Sequence, residues 1–580
     1  MNRNVESRFA LNPTKIDMSR SRFNMSSSHK TTFNVGEIIP FYINEVLPGD
    51  TFNIKTSKVV RMPALITPMM DNIYLDTYYF FVPNRLVWDH WKEFMGENSQ
   101  SAWIPTVEYT VPQVTAPDNG FSTNSIADYF GIPVGKSNFS VSALPFRAYA
   151  RIIDEWFRDE NLDDPIYYPT GDADVAGDDN TTVLYKGGWP YFAAKYHDYF
   201  TSCLPSPQKG PDVSIPFART GDWPVVTKAD IVDADFQTFT SHYGSSSNNI
   251  WPLQFAKGNK ANYSGVNNPF SMAAPSGSLT NASPSLDSVG VKDPASSGPS
   301  TGYWAAPVNL WAIPQVDNFV ATINQLRLAF QIQKLYERDA RGGTRYIEIL
   351  KSHFGVTSPD SRLQRSEYLG GNRIPIRINQ VVQNSETTST SPQGNVSGMS
   401  LTTDNHSDFT RSFTEHGFVI GLMVARYDHT YQQGIERFWS RRDRFDYYWP
   451  VFANIGEQAV LNKEIYVSGD AETDNEVFGY NEAWADYRYK PNRVSGLMRS
   501  KLSGVNAIFG SLDFWHLADD YDSTPALSSN WILEDETNVE RVLSYPGESS
   551  GMQLFADIYV QCIATRPMPM YSIPGLIDHH

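Results

Sequence analysis

The sequence predicts a mainly β protein, a β-sandwich of the jelly-roll type, and three observations lead to this fold class. Strand-like runs recur from residue 39 to residue 566, helical patterns are few, and large polar stretches separate the runs. A sandwich can carry such stretches as surface loops without disturbing its sheets. No repeat of about 20–50 residues is evident, which disfavours propellers and solenoids.

The first strands are predicted in the segment 39–82. Bulky side chains at 41–46 lead to a turn at 48–50, and two further runs follow at 51–60 and 74–82. Later strand-like runs are predicted at 373–383, 416–428, 463–468 and 552–566.

Helices are expected as additions to the sheets. Asn84 is a good N-cap for one short helix, and Ser142 is a good N-cap for another. The longest helical pattern covers 322–341, where apolar side chains form one broad side and two glycines at 342 and 343 supply the stop.

A large polar insertion interrupts the strand pattern. Between 241 and 302 the sequence holds 14 Ser, 7 Gly, 6 Pro and 7 Asn in 62 positions, a composition too polar for the main core. We interpret it as a long surface excursion, with a disordered flap as the alternative. A second polar stretch at 384–408 is interpreted as another exposed loop.

The charge distribution restricts any contact with nucleic acid to local regions. The 580 residues carry 47 Lys plus Arg against 64 Asp plus Glu, a formal charge of −17. Such a balance excludes a protein whose whole surface binds nucleic acid. The 13% of aromatic residues suits large subunit contacts as well as a core.

The first 35 residues are the exception, with six basic side chains against two acidic ones. We interpret 1–35 as a basic N-terminal arm. Its cations could neutralise phosphates while its phenylalanines stack on bases, or the arm could thread along a neighbouring subunit. The candidate nucleic-acid-facing residues are Arg3, Arg8, Lys15, Arg20, Arg22 and Lys30.

Motifs for catalysis and metal binding are incomplete in this sequence. The segment 131–137 is one residue too short for a phosphate loop, and the acidic run at 172–179 lacks the later ligands of a calcium loop. The histidines and the two cysteines, Cys203 and Cys562, form no zinc pattern, and no nucleophile elbow occurs. We therefore expect no enzyme activity, no cofactor and no metal.

No signal-peptide core or membrane span is evident, and two distant cysteines make a disulfide framework improbable. We expect a protein made in the cytoplasm and not inserted into a membrane.

Several long blocks resemble the major capsid proteins of the gokushoviruses, a branch of the microvirus family of small single-stranded DNA bacteriophages. These blocks are PNRLVWDHWKEFMGEN at 83–98, HDYFTSCLPSPQKGP at 197–211, INQLRLAFQIQKLYERDARGGTRYIE at 323–348, SRLQRSEYLGG at 361–371 and RPMPMYSIPGL at 566–576. They span the chain from near its start to near its end.

The resemblance implies an eight-stranded antiparallel jelly roll with large loop insertions and a few short helices. In this sequence it implies a discontinuous jelly-roll domain at 36–217 and 313–580. The segment 218–312 would be a surface insertion that forms a protrusion at the threefold axes. The large residues proposed to pack between neighbours there are Trp251, Phe255, Tyr263 and Phe270.

The resemblance also implies a structural protein of the virion capsid, assembled in the host bacterial cytoplasm. Copies of the chain would form a T=1 icosahedral shell around a circular single-stranded DNA genome. Its expected partners are other copies of itself, packaged single-stranded DNA, a small basic DNA-packaging protein, other minor virion proteins and a host surface receptor. The alternative is a carbohydrate-binding or carbohydrate-cleaving β-sandwich.

Overall fold

The computed structural model covers most of the chain outside the polar insertion. It describes residues 19–97, 107–178, 181–211, 213, 323–342, 346–356, 364–387, 392–500, 512–544 and 552–571, with short strands between 225 and 312. The chain divides into two compact units, one formed by Met1–Pro211 with Leu335–His580 and the other by Asp212–Lys334.

Two antiparallel sheets form the centre of the first unit. Their strands are β1 (Ser21–Asn24), β2 (Ser27–Phe33), β3 (Ile39–Val46), β4 (Thr51–Arg61), β5 (Ile73–Pro83), β6 (Glu367–Pro375), β7 (Thr402–Ser412), β8 (Gly417–Tyr427) and β9 (Leu554–Arg566). The first sheet has the order β2-β9-β4-β7, and β1 pairs with β9 beyond the end of β2. The second sheet has the order β3-β8-β5-β6.

Short strands and helices make up the other described elements of the two units. The other strands are Gln113–Thr115, Ser140–Ser142, Val175–Ala176, Val225–Thr227, Phe236–Gln237, Phe255–Ala256, Val289–Val291, Tyr303–Ala305, Leu310–Ala312, Ile378–Val382, Val396–Ser400, Thr430–Tyr431, Glu457–Leu461, Val477–Glu482 and Asn492–Arg493. The helices are α1 (Trp91–Phe94), α2 (Ile126–Tyr129), α3 (Leu144–Ile152), α4 (Ile323–Gly342), α5 (Tyr346–Phe354), α6 (Asn462–Ile465), α7 (Ala471–Asp474), α8 (Ser529–Ile532) and α9 (Thr537–Val542).

The first core lies between the two sheets. Side chains alternate between the two faces of a strand, so β4 buries Phe52, Ile54 and Val60 while it exposes Lys55 and Arg61. β9 alternates in the same way along most of its length. Burial of each large apolar side chain contributes about 1.5–3 kcal/mol. This core therefore holds the sheets face to face as a mainly β sandwich.

A second core covers the other face of the second sheet. β8 is apolar almost throughout, with Val419 and Met423 in the first core and Ile420, Leu422 and Val424 in the second. Helix α3 and the segments around it pack their apolar side chains into this second core. The sequence between β5 and β6 therefore supplies a cover for a sheet that is buried on both sides.

Most of the predicted elements are confirmed. The predicted helix at 322–341 is α4, and the predicted strands at 41–46, 51–60, 74–82 and 416–428 are β3, β4, β5 and β8 within one or two residues. The last predicted strand, at 552–566, is β9. Runs of bulky side chains made these strands recognisable, and a helical pattern of apolar side chains made α4 recognisable.

Two interpretations of the sequence are wrong. The stretch 384–408, taken as an exposed loop, contains the strand Val396–Ser400 and the first residues of β7, which pairs with β4 at the edge of the described sheet. An edge strand with one solvated face can be this polar. The run at 463–468 was taken as a strand, but it begins with helix α6. There the Glu464 carboxylate accepts a hydrogen bond from the Leu461 amide at 3.1 Å.

Two other elements differ from the expectation in extent. The predicted strand at 373–383 is divided into β6 and Ile378–Val382, which pair with different strands. The short helix expected from Asn84 is a single 3-10 turn, Asn84–Leu86, followed by the separate α1.

None of the helices in the described part of the chain is long and apolar enough to cross a membrane.

A buried histidine joins three segments after β8. His429 Nδ1 lies 3.1 Å from both carboxylate oxygens of Asp519, and its Nε2 lies 3.0 Å from Oε1 of Glu534. All three residues are buried. Burial lowers the pKa of His429, but the charges of Asp519 and Glu534 outweigh that effect and raise this pKa to about 10. A charged imidazolium between two carboxylates therefore ties the segments together.

Replacement of this histidine tests how much the link contributes. We expect His429→Gln to lower the free energy of unfolding by about 3–5 kcal/mol, because two buried carboxylates lose their cation. His197 is exposed, so His197→Gln is the matched control and should change stability by less than about 0.5 kcal/mol. Urea unfolding of the full chain measures both, and equal effects would contradict the link.

The effect should also depend on pH. The unfolded pKa of histidine is about 6.5 and the folded pKa of His429 is about 10. The stabilisation is therefore complete below about pH 6.5 and is lost as the pH rises through about 10. The stability difference between wild type and His429→Gln should shrink over that interval, and a constant difference would refute the charged state.

Candidate nucleic-acid interface

The exposed face of the first sheet carries a row of alternate side chains. In β9 the odd-numbered residues from 555 to 565 lie on this face, and Phe555 and Tyr559 are 44% and 46% exposed. The even-numbered residues point into the first core. This face therefore presents two aromatic rings to solvent at a spacing of four residues.

The strand register places four basic side chains on the same face. Directly paired residues of an antiparallel sheet share a face. Arg22 pairs with Thr565, and Lys30 pairs with Asp557. Lys55 pairs with Gln561, and Arg61 pairs with Phe555. All four basic residues are exposed. The cations are Arg22, Lys30, Lys55 and Arg61.

A groove of about 820 Å³ opens over part of this face. Its floor includes Lys30, Arg61 and Phe555, and its wall is formed by the segment 123–131 around α2. The wall contributes the carboxylate of Asp128, which accepts a hydrogen bond from the Asn124 amide at 2.8 Å. The groove thus combines exposed cations and an aromatic ring with a polar wall.

The groove also contains one partly buried titratable ring. Burial lowers the pKa of His29, and the nearby Asp128 carboxylate opposes this shift. The imidazole therefore adds little positive charge at neutral pH. The positive charge of the groove at neutral pH comes from Lys30 and Arg61, and its carboxylates are those of Asp128 and Asp557.

The ion pair on this face leaves its lysine accessible. Lys30 Nζ lies 3.5 Å from Oδ1 of Asp557, and the two side chains are 72% and 53% exposed. Exposed pairs of this kind are worth at most about 1 kcal/mol. A phosphate could therefore replace Asp557 as the partner of Lys30 at little cost.

Three of the six predicted basic residues lie in the described part of the chain. Arg22 and Lys30 lie on the exposed face of the first sheet. Arg20 lies beside the turn between β3 and β4, where burial raises the pKa of Asp50 and the charges of Arg566 and Arg20 oppose that rise. Residues 21–24 and 27–33 of the predicted arm are thus the strands β1 and β2 of the first sheet. The residues Arg3, Arg8 and Lys15 lie outside the described part.

The predicted protrusion residues are scarcely represented. Phe255 belongs to the short strand Phe255–Ala256, which pairs with Phe236–Gln237. Trp251, Tyr263 and Phe270 lie outside the described residues.

Sequence reasoning missed four residues of this face: Lys55, Arg61, Phe555 and Tyr559. The signal was present, because a strand that buries every second residue must expose the residues between them. It was not used, since the assignment of these cations to one face also requires the pairing of β4 with β9.

The arrangement suits a flexible polyanion with aromatic bases. Lysine and arginine side chains neutralise phosphates, and exposed aromatic rings stack on unpaired bases without regard to sequence. Among the described residues, no cluster of histidine, cysteine or carboxylate side chains could hold a metal ion.

Comparison with known proteins identifies similar chains over almost the whole length. A family model described as "Capsid protein (F protein)" matches residues 13–576. The chain is 41% identical to the capsid protein VP1 of Chlamydia phage 1, with 99% of this chain and 98% of that protein covered. It is 40% identical to the capsid protein VP1 of Bdellovibrio phage phiMH2K, with coverages of 97% and 96%. It is 42% identical to the capsid protein VP1 of Spiroplasma virus 4, with coverages of 94% and 94%.

Proposed function

The chain belongs to the capsid protein (F protein) family, and from this membership we propose that its copies close a T=1 icosahedral shell around a circular single-stranded DNA genome. The resemblance to gokushovirus capsid proteins is confirmed by relatives of about 40% identity that match nearly end to end. The protein is accordingly a structural major capsid protein. That full-length match carries the proposal, and it favours this role over a carbohydrate-binding or carbohydrate-cleaving one.

The subunit fold is proposed to be an eight-stranded jelly roll. Strands β2 to β9 form the two four-stranded orders β2-β9-β4-β7 and β3-β8-β5-β6. Chain-successive strands alternate between the sheets, apart from the return from β5 to β6 within the second sheet. Such interleaving is typical of two Greek keys folded into one double-sheet roll. Strand β1 extends the edge formed by β2.

The exposed face of the first sheet is proposed to line the inside of the shell, against the packaged DNA. A chain of net charge −17 repels DNA over most of its surface, so a contact must use a local basic face. Arg22, Lys30, Lys55 and Arg61 provide one. Arg3, Arg8 and Lys15 precede β1 in the sequence, and we propose that they add to the contact with DNA.

The insertion 218–312 is proposed to project outward at the threefold axes and to meet the host receptor. Its polar composition and the separate compact unit Asp212–Lys334 support an insertion into the sandwich. Loop closure costs only about 0.6 kcal/mol per doubling of length, so a sheet tolerates it. The remaining proposed partners are a small basic DNA-packaging protein and minor virion proteins, with assembly in the host bacterial cytoplasm.

Assembly of the purified full-length chain tests the proposed function most directly. We expect electron micrographs of the expressed protein to contain closed particles of one diameter, and sedimentation to show a matching fast species. A protein that remains monomeric over a wide range of salt and concentration would contradict the shell.

Charge removal on the basic face tests its contact with DNA. We expect the combination Lys30→Gln, Lys55→Gln and Arg61→Gln to weaken binding of a single-stranded oligonucleotide by roughly 10–100-fold near 0.1 M salt. The slope of log affinity against log salt should fall by about 2, because each lost phosphate contact on a single strand removes about 0.7. Fluorescence anisotropy measures both quantities.

The matched control removes three exposed cations elsewhere: Lys92→Gln, Lys351→Gln and Arg377→Gln. This control changes the net charge by the same amount. Its loss of affinity for the oligonucleotide should therefore reflect only the general electrostatic attraction. Equal losses in the two triple variants would show that the first sheet has no special contact with DNA.

Deletion within the insertion tests its independence from the fold. We expect a chain in which a short Gly/Ser linker replaces 241–302 to fold and form particles that no longer adsorb to host cells. A second variant keeps the loop but replaces Trp251, Phe255, Tyr263 and Phe270 with Ser. Its particles should dissociate at lower urea concentrations than wild type, because packing between neighbours is lost. Failure of the deleted chain to fold would refute the proposed insertion.

A further inference from the structure

An ordered aromatic surface lies after β8, within residues 435–455. Nine large apolar side chains of this segment are more than a third exposed. The most exposed are Val451 at 88%, Trp439 at 72% and Phe445 at 59%. Tyr487 and Tyr489 extend the same surface, because the ring of Tyr448 lies 6.3 Å from that of Tyr487. We call the exposed side chains of 435–455, 487 and 489 the aromatic surface.

The backbone beneath this surface is held by its own hydrogen bonds. The Asp446 carboxylate accepts bonds from the amides of Arg442 and Asp443, at 2.7 and 2.9 Å. The indole of Trp449 donates to the Arg444 carbonyl at 2.8 Å. The indole of Trp484 donates to the Phe452 carbonyl at 2.8 Å. The segment is therefore shaped in advance, although its apolar side chains face solvent.

A largely buried ion pair, with side chains 8% and 13% exposed, anchors the segment to its neighbour in the fold. Arg441 pairs with Asp486 and donates a hydrogen bond to the Asp446 carbonyl at 2.9 Å. Its guanidinium also lies 4.3 Å from the ring centre of Tyr487. These contacts join 435–455 to Tyr487, and a shared pocket lined by Phe438, Tyr487 and Tyr489 extends the surface to Tyr489.

The extent of the surface matches what a specific protein contact buries. An aromatic side chain has about 150–250 Å² of surface, so the eight aromatic side chains of this surface, which are roughly half exposed, offer about 800 Å². A standard interface buries about 800 Å² on each partner. Monomers seldom leave an apolar patch of this size exposed.

We infer that the aromatic surface is a contact between two copies of this chain in the assembled shell. This inference rests on the proposed function, because a shell subunit must bury part of its surface against its neighbours. The composition fits, since Trp, Tyr, Phe and Arg are the residues enriched at the centres of protein interfaces. Nucleic acid fits less well, because the three acidic side chains of the segment nearly balance its four arginines. Two of these arginines, Arg437 and Arg441, are already paired with Glu464 and Asp486.

The test replaces the two most exposed side chains with charges. The double variant Trp439→Glu and Val451→Glu should remain folded, because both side chains are largely in solvent in the subunit. Its yield of closed particles should fall at least tenfold, since each charge would be buried against a neighbour. The readouts are thermal unfolding by circular dichroism and particle counts in electron micrographs.

The matched control is the double variant Tyr167→Glu and Phe354→Glu, in which both side chains are 73% exposed. The thermal midpoint of this control should change no more than that of Trp439→Glu/Val451→Glu. The comparison distinguishes the effect of added surface charge on stability from a folding defect. Particles formed by Trp439→Glu/Val451→Glu in wild-type yield would overturn the inference. Absence of particles from the wild-type chain would instead overturn the proposed function.

A second measurement does not depend on a disruptive substitution. A photo-crosslinking residue at position 451 of the full chain, irradiated in assembled particles, should yield a covalent dimer of two subunits. The same residue irradiated in dissociated subunits should yield monomer. Assembled particles that give no dimer from position 451 would overturn the inference while the proposed function stands.

Discussion

The structure depends on one constraint, the burial of the second sheet on both of its faces. β8 is apolar at nearly every position, so Val419 and Met423 need one cover and Ile420 and Leu422 need another. The first sheet provides the first cover, and helix α3 with its surroundings provides the second. Part of the long segment between β5 and β6 therefore packs against the second sheet, and the segment is not only a loop.

Among the described residues, the first sheet is in contrast covered on one face only, and this asymmetry creates the candidate interface. A sheet with one solvated face must alternate apolar and polar residues, and the polar positions of β4 and β9 are free to carry function. Lys55 and Arg61 can therefore bind a partner without disturbing the core behind them. The aromatic surface at 435–455 has a different basis, because hydrogen bonds and an ion pair fix its backbone while its side chains remain uncovered.

The sequence predicted the elements whose pattern is strong. The run of bulky and polar residues at 51–60 is β4, and the apolar run at 416–428 is β8. The helical pattern at 322–341 is α4. Prediction failed where a weak local pattern depends on a distant partner. Residues 402–408 look like a loop, and they are a strand only because β4 offers an edge for them to pair with. Of the candidate interface, the sequence predicted only Arg22 and Lys30. The other residues of that face are brought together by the pairing of β4 with β9, which is again a distant partner.

By itself, the sequence determined the mainly β class, the presence of a polar insertion, and the family, because composition, periodicity and long motifs are local properties of the chain. Only the tertiary structure decided which cations lie on the same face of the sheet. Lys55, Lys58 and Arg61 lie in one strand, yet Lys58 is buried 3.3 Å from Asp404 while the other two face solvent. Alternation separates the faces, but the pairing of β4 with β9 brings Arg61 beside Phe555 and Lys55 beside Gln561. That pairing joins residues about five hundred positions apart, and no local pattern contains it.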